Sequence, residues 1–231
     1  MNHSILMTDQ ITKAHTMQTT LPRRSLYRHY KETNFQLHQR LLKKFPQDTL
    51  HKFAKRFKMV DAHNNVTAKK PDHEDLLIDY CLYHHKIDGQ DFINNALKDP
   101  RCKWTIEELE LLHTMQESQL GLYSIDKVLS RDEALISDLK SGQSICVTDR
   151  KLTQMDLSVR TLIITRLYPL SEFNLTCGSM IPLFGQESIQ AERLYQLSTN
   201  FSYDILKLLV LEENLNDIIK AHQVSDINAI A

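Results

Sequence analysis

Cys81, His84 and His85 stand at i, i+3 and i+4, a spacing that on a helix turns a thiol and an imidazole to one face. Those are zinc-ligand types, and His73 lies two turns upstream. A closed zinc site takes four ligands, and the chain offers no second tight pair, only the distant Cys102 and His113. The spacing therefore predicts a buried thiol flanked by half-exposed imidazoles, with no metal and no cofactor. Nine of the eleven histidines fall between His3 and His85, which makes this half more cationic below about pH 6.5.

A second chemistry is cationic. Between residues 22 and 70 there are 13 Lys/Arg against three acids, a local charge of +10, whereas residues 71–231 carry −11 and the whole chain −1. Local excess of one sign attracts the opposite polyion whatever the net charge. Arg23, Arg24 and Arg28, then Lys52, Lys55, Arg56 and Lys58, are the residues that would contact phosphates, with Tyr27 or Tyr30 available for stacking. The same cations could instead be neutralised by acids of this chain such as Glu107, Glu108 and Glu110.

Motifs of known enzymes are missing: no GxGxxG, GxxxxGK[ST], HExxH, GxSxG or CxxC. The string Asp61-Ala62-His63-Asn64-Asn65 brings nuclease-like residue types together, but a polar turn has the same composition. Cys146 and Cys177 alternate with apolar residues and read as packed thiols. Four scattered cysteines suit a reducing cytoplasm, and the N-terminus has neither secretory-signal pattern nor any apolar run of spanning length.

These residues need elements to hold them. After residues 1–21, read as a mobile tail, Leu26, Tyr30, Leu37, Leu41 and Phe45 recur at helical spacing up to Pro46. Asp48 is expected to cap the next helix, whose inner face is Leu50, Phe53, Ala54 and Phe57. Asp72 and Asp75 predict the start of a third helix ending near Gly89, and Asp91–Lys98 a short fourth. Thr105 and Glu108 form a complete capping-box pattern for a fifth.

At Gly121 the apolar period changes from 3.6 to 2. Strands are expected around Tyr123, Ile125 and Leu129, around Leu135, Ser137 and Leu139, around Ile145 and Val147, at Thr161–Leu167, and around Phe173, Leu175 and Cys177. Lys140-Ser141-Gly142 supplies a turn. Helix returns after Gly185, and one long amphipathic helix is expected from Phe201 to Ala221.

The run GLYSIDKVLSRDEALISDLKSG, followed by SICVTDRKLTQMDLSVRTLIITRLYPLSEFNLTCGSMIPL, resembles a small β-domain of uncharacterised bacterial proteins, some of which carry an SEC-C zinc-binding tail. The likeness covers residues 121–183 and rests on Ser137-Asp138-Leu139, then Asp156-Leu157 ahead of an apolar strand ending in Arg166. It implies a fold and a bacterial origin. With no Cys-rich tail in the sequence, it implies no zinc function.

The expected fold is α+β: a helical bundle at 22–119, a small antiparallel SH3-like or OB-like barrel at 120–185, and C-terminal amphipathic helices at 186–231. The expected function is that of a non-enzymatic cytoplasmic binding protein whose basic face over residues 23–58 meets nucleic acid or another polyanion. An acidic protein is the other partner this face would suit; the alternatives are a protein–protein adaptor or a homo-oligomer, paired through the C-terminal helix, with the basic face neutralised internally, and an unrecognised hydrolase or nuclease centred on the histidines.

Overall fold

The structure, a computed structural model, describes residues 23–87, 89–155 and 157–221. The expected tail at 1–21 lies outside the described residues. Helix α1 spans Arg23–Lys44, and Leu26, Tyr30, Leu37, Leu41 and Phe45 are all buried, as their spacing requires. Helix α2, Gln47–Arg56, buries Phe53 and Ala54 and starts one residue before Asp48. Pro46 is its N-cap, with the Thr49 and Leu50 amides donating to the Pro46 carbonyl, so Asp48 acts in the first turn through the helix dipole. Likewise α3, Pro71–Tyr83, has Lys70 at the N-cap and Pro71 at its first position, and the expected Asp72–Asp75 box does not form.

A two-residue hairpin, β1 at Lys86–Ile87 with β2 at Gln90–Asp91, leads into α4 at Phe92–Lys98. Helix α5, Ile106–Glu117, begins with both reciprocal bonds of the Thr105–Glu108 capping box.

Five strands then close a barrel in the order β3-β4-β5-β7-β6, with β3 at Gln119–Val128, β4 at Glu133–Asp138, β5 at Ser144–Thr148, β6 at Leu162–Pro169 and β7 at Asn174–Leu183. Every pairing is antiparallel except the β5–β7 seam, where Val147 and Thr148 lie parallel to Asn174 and Leu175. A short helix, α6 at Arg150–Gln154, connects the third and fourth barrel strands. Its Leu152 joins Tyr123, Ile125, Ala134, Ile136, Val147, Ile163, Leu167 and Met180 in the barrel core.

Leu135 and Ser137 lie on β4 as expected, Leu139 falls just past its end, and the residues turned into the barrel are Ala134 and Ile136. On the opposite face the Ser137 hydroxyl donates to Asp126 at 2.6 Å, while Ala134 and Ile136 fill the barrel. Leu129 lies past the end of β3 and is exposed. The turn at Lys140–Gly142 forms as expected, with Asp138 accepting from the Lys140 and Ser141 amides and Gly142 at φ +70°.

Strand β6 is buried on both faces, which explains its mainly apolar composition. Its outer residues Ile164 and Tyr168 belong to the core shared with the helices, so one apolar cluster joins the helical layer to the barrel wall. The chain finishes with α7 at Gly185–Leu197 and α8 at Phe201–Leu209. The expected single helix over Phe201–Ala221 is broken: Glu212 takes φ +56°, and helix resumes only at 215–221. Asn214 restarts it, its side chain accepting from the Asn216 amide and its carbonyl from Asp217 and Ile218. The apolar stripe survives the break because Ile205, Leu208, Leu215 and Ile218 all pack into the same core.

Candidate functional site

Helix α2 carries the most open concentration of cations. With Phe53, Ala54 and Phe57 turned inward, Lys52, Lys55, Arg56 and Lys58 remain exposed. Among the described residues none of the four forms an ion pair. Arg56 stacks on Tyr203, 5.1 Å from the ring centroid, which fixes one guanidinium without discharging it. Lys58 follows the helix at φ +54°, a left-handed end that turns the chain into the next loop.

Arg23, Arg24 and Arg28 occupy the first two turns of α1, which is about 33 Å long, and α2 follows its last turn. The structure thus separates the seven sequence-predicted residues into two groups. Arg23 pairs with Glu133 at 2.7 Å and Arg24 faces Asp132 at 3.8 Å, both acids at the barrel. Arg28 is exposed and has no ion pair among the described residues. Elsewhere Arg40 pairs with Glu108, Lys69 with Glu212 at 3.1 Å and Lys70 with Glu187 at 3.9 Å, so part of the basic excess is neutralised within the chain.

The histidines and cysteines do not converge. The Cys81 side chain is fully buried, and burial pushes its thiol up to about 12. His84 stacks on Tyr80 and its Nε2 lies 3.0 Å from an Arg166 nitrogen; burial lowers its pKa, with Arg166 adding to the shift. His85 packs edge-on to Phe53 and His73 is buried at the start of α3. Cys102 lies in the loop between α4 and α5, and His113 is on α5, bonding to Gln116. No group of three or more metal-ligating side chains occurs among the described residues. In the Asp61–Asn65 string, the Asp61 carboxylate accepts from the His63 and Asn65 amides at 2.8 Å each. That is turn chemistry, and these bonds hold the carboxyl below its usual range.

Sequence reasoning missed the residue that joins the two layers. Arg166, 1% exposed, leaves the outer face of β6 and donates to both Asp79 oxygens of α3 at 2.6 and 2.9 Å. Its remaining donors reach the Ser118 carbonyl, the Ser118 hydroxyl and His84, so the whole guanidinium fork is satisfied. Tyr83 covers it, ring centroid 3.8 Å away. The signal was an arginine inside TLIITRL, where a buried cation demands a buried acid. Beside it, residues of α1 and α3 line a cavity of about 340 Å³, His38, Asp75 and Tyr83 among them, with Arg166 at its wall. His38 Nδ1 lies 2.9 Å from the Asn34 carbonyl, and its Nε2 3.2 Å from the Tyr83 hydroxyl. Because Arg166 is saturated, this cavity has no free guanidinium.

A closed five-stranded barrel in a helical frame, with cations outside and an ion pair at the joint, defines an α+β protein without a recognisable catalytic centre among the described residues. The chain belongs to a family of unknown function, DUF7986, whose model matches residues 22–195. No curated protein and no solved structure gives a significant match. No helix among the described residues is long and apolar enough to cross a membrane.

Proposed function

We propose that the protein is a non-enzymatic, cytoplasmic binding protein that contacts nucleic acid or another polyanion through Arg23, Arg24, Arg28, Lys52, Lys55, Arg56 and Lys58. The observation that carries this reading is at α2, whose Lys52, Lys55 and Arg56, with Lys58 just beyond its end, are exposed and form no ion pair among the described residues, while the apolar face of the helix is already buried. Its ten residues extend about 15 Å, matching roughly four phosphates of one strand. The OB-like barrel adds a fold-level association only. The likeness of residues 121–183 to a bacterial β-domain belongs to the same proposal and adds no activity.

Fluorescence anisotropy with labelled single-stranded and duplex DNA and RNA tests it. Four phosphate contacts give a log–log salt slope of about −2.8 on single strands and about −3.6 on duplex DNA. Affinity should then fall roughly 50- to 150-fold between about 50 and 200 mM salt. Reversing Lys52, Lys55, Arg56 and Lys58 to Glu should abolish binding. Absence of binding at about 50 mM salt, where attraction is strongest, removes the reading.

The Arg23–Glu133, Arg40–Glu108 and Lys69–Glu212 pairs favour a second reading, an adaptor or homo-oligomer with its basic face neutralised internally. Pairing through the C-terminal stripe is disfavoured, since Ile205, Leu208, Leu215 and Ile218 are buried in this chain. Sedimentation equilibrium separates the two: a stable oligomer that ignores nucleic acid supports the second.

A further inference from the structure

We propose that the cleft between the start of α1 and α6 is a binding site for a phosphomonoester group. This cleft, about 360 Å³, is lined by Arg24, Arg28 and Lys31 of α1, by Arg150 of α6, and by Tyr27, Glu32 and Asp132. The four cations are not in equivalent states. Lys31 is committed, its ammonium 2.7 Å from the buried Asp149 carboxylate and 3.0 Å from the Thr176 carbonyl. Arg24 faces Asp132 at 3.8 Å, beyond hydrogen-bond reach, and Arg28 makes no ion pair among the described residues.

Arg150 is held in the cleft wall by its surroundings. Its backbone amide is held by the Tyr27 hydroxyl at 3.2 Å, so the residue is fixed in place. Its side chain is half-buried, and the Nε is sealed from solvent with no hydrogen-bond partner among the described residues. A guanidinium N–H removed from water without an acceptor is costlier than a neutral donor in the same position. Arg24, Arg28 and Arg150 line one volume with only Glu32 and Asp132 as counter-charges, and an anion there would give the Arg150 Nε–H the acceptor it lacks.

The chemistry of that anion follows from the donors. Three planar forks, two from α1 and one from α6, suit a tetrahedral group with three terminal oxygens and nearly two charges better than a carboxylate with two oxygens and one. For Arg24 and Arg28 this inference rests on the polyanion reading; Arg150 and the recessed cleft are additional to it, and α2 takes no part.

The test uses inorganic phosphate titrated into the full chain at low salt, followed by the arginine Nε–H resonances in ¹H–¹⁵N spectra. The Arg150 resonance is assigned by its loss in Arg150→Gln. We expect saturable shifts with half-saturation on the order of 1 mM or lower, weakened at least about tenfold in Arg150→Gln and in Arg28→Gln. Arg28 is exposed, so Arg28→Gln decides the matter even if Arg150→Gln fails to fold.

A nucleoside 5′-monophosphate, and an oligonucleotide with or without a 5′-phosphate, then distinguish the sources. Preference for the 5′-phosphorylated strand assigns the site to nucleic-acid ends. Equal affinity for inorganic phosphate and the monophosphate assigns it to small phosphorylated molecules; both support the site. Shifts that never saturate, or variants that bind phosphate as the unmodified chain does, overturn it. The α2 reversal should leave phosphate binding intact and Arg150→Gln should leave duplex binding intact, so each proposal fails separately.

Discussion

Replacing Arg166 by Met should cost the protein about 3–5 kcal/mol, because it leaves the Asp79 carboxylate charged and buried with its main partner gone. The structure shows what remains for Asp79: the Ser202 hydroxyl at 3.3 Å and His84 Nε2 at 4.0 Å. Ser118 loses two bonds at the same time. For a chain of this size each kcal/mol moves Tm by roughly 2–4 °C, so melting followed by near-ultraviolet circular dichroism should fall by about 6–20 °C. The loss has a pH signature. Arg166 holds His84 down and Asp79 pulls it up, so removing Arg166 lets His84 protonate more readily and replace part of the missing charge. Destabilisation should therefore be smaller near pH 5.5 than near pH 8. The double variant Asp79→Leu with Arg166→Met should recover most of the loss, because no unpaired charge is left. A single-variant loss below about 1 kcal/mol, or a double variant as unstable as the sum of the singles, refutes the assignment of Arg166–Asp79 as the pin between the layers.

Two further perturbations probe local packing and titration. Gly121→Ala places a Cβ 2.6–2.8 Å from the tip of the buried Tyr123 ring and should destabilise by about 1–3 kcal/mol, read as a lower urea midpoint at unchanged slope; an unchanged midpoint would show that the ring can move. Burial lowers His73, His84 and His85, so their contribution is complete above about pH 6.5 and is lost as pH falls through their folded values. Urea midpoints should consequently decline from about pH 7 towards pH 5, even though Asp75, raised by burial, acts in the opposite sense near the bottom of that range. A midpoint that rises on acidification contradicts the buried, neutral state of these rings.

Features set by neighbours within four residues were legible in the sequence. The inner face of α1, the Thr105–Glu108 capping box, the Asp138–Gly142 turn and the change of period at Gly121 each depend on contacts at i+2 to i+4. Patterning also revealed where the cations lie in the chain and that α2 must carry them on its outer face. Tertiary structure alone decided which cations are occupied. Arg23 meets Glu133, Arg40 meets Glu108 and Arg166 meets Asp79 only because the chain returns across long separations, whereas Lys52, Lys55 and Lys58 meet no acid among the described residues. The parallel β5–β7 seam, the inward turn of Ala134 and Ile136, and the break at Glu212 have the same origin. Alternation marks a strand's two faces without saying which is inside, and an amphipathic stripe persists across a break when both halves bury the same face.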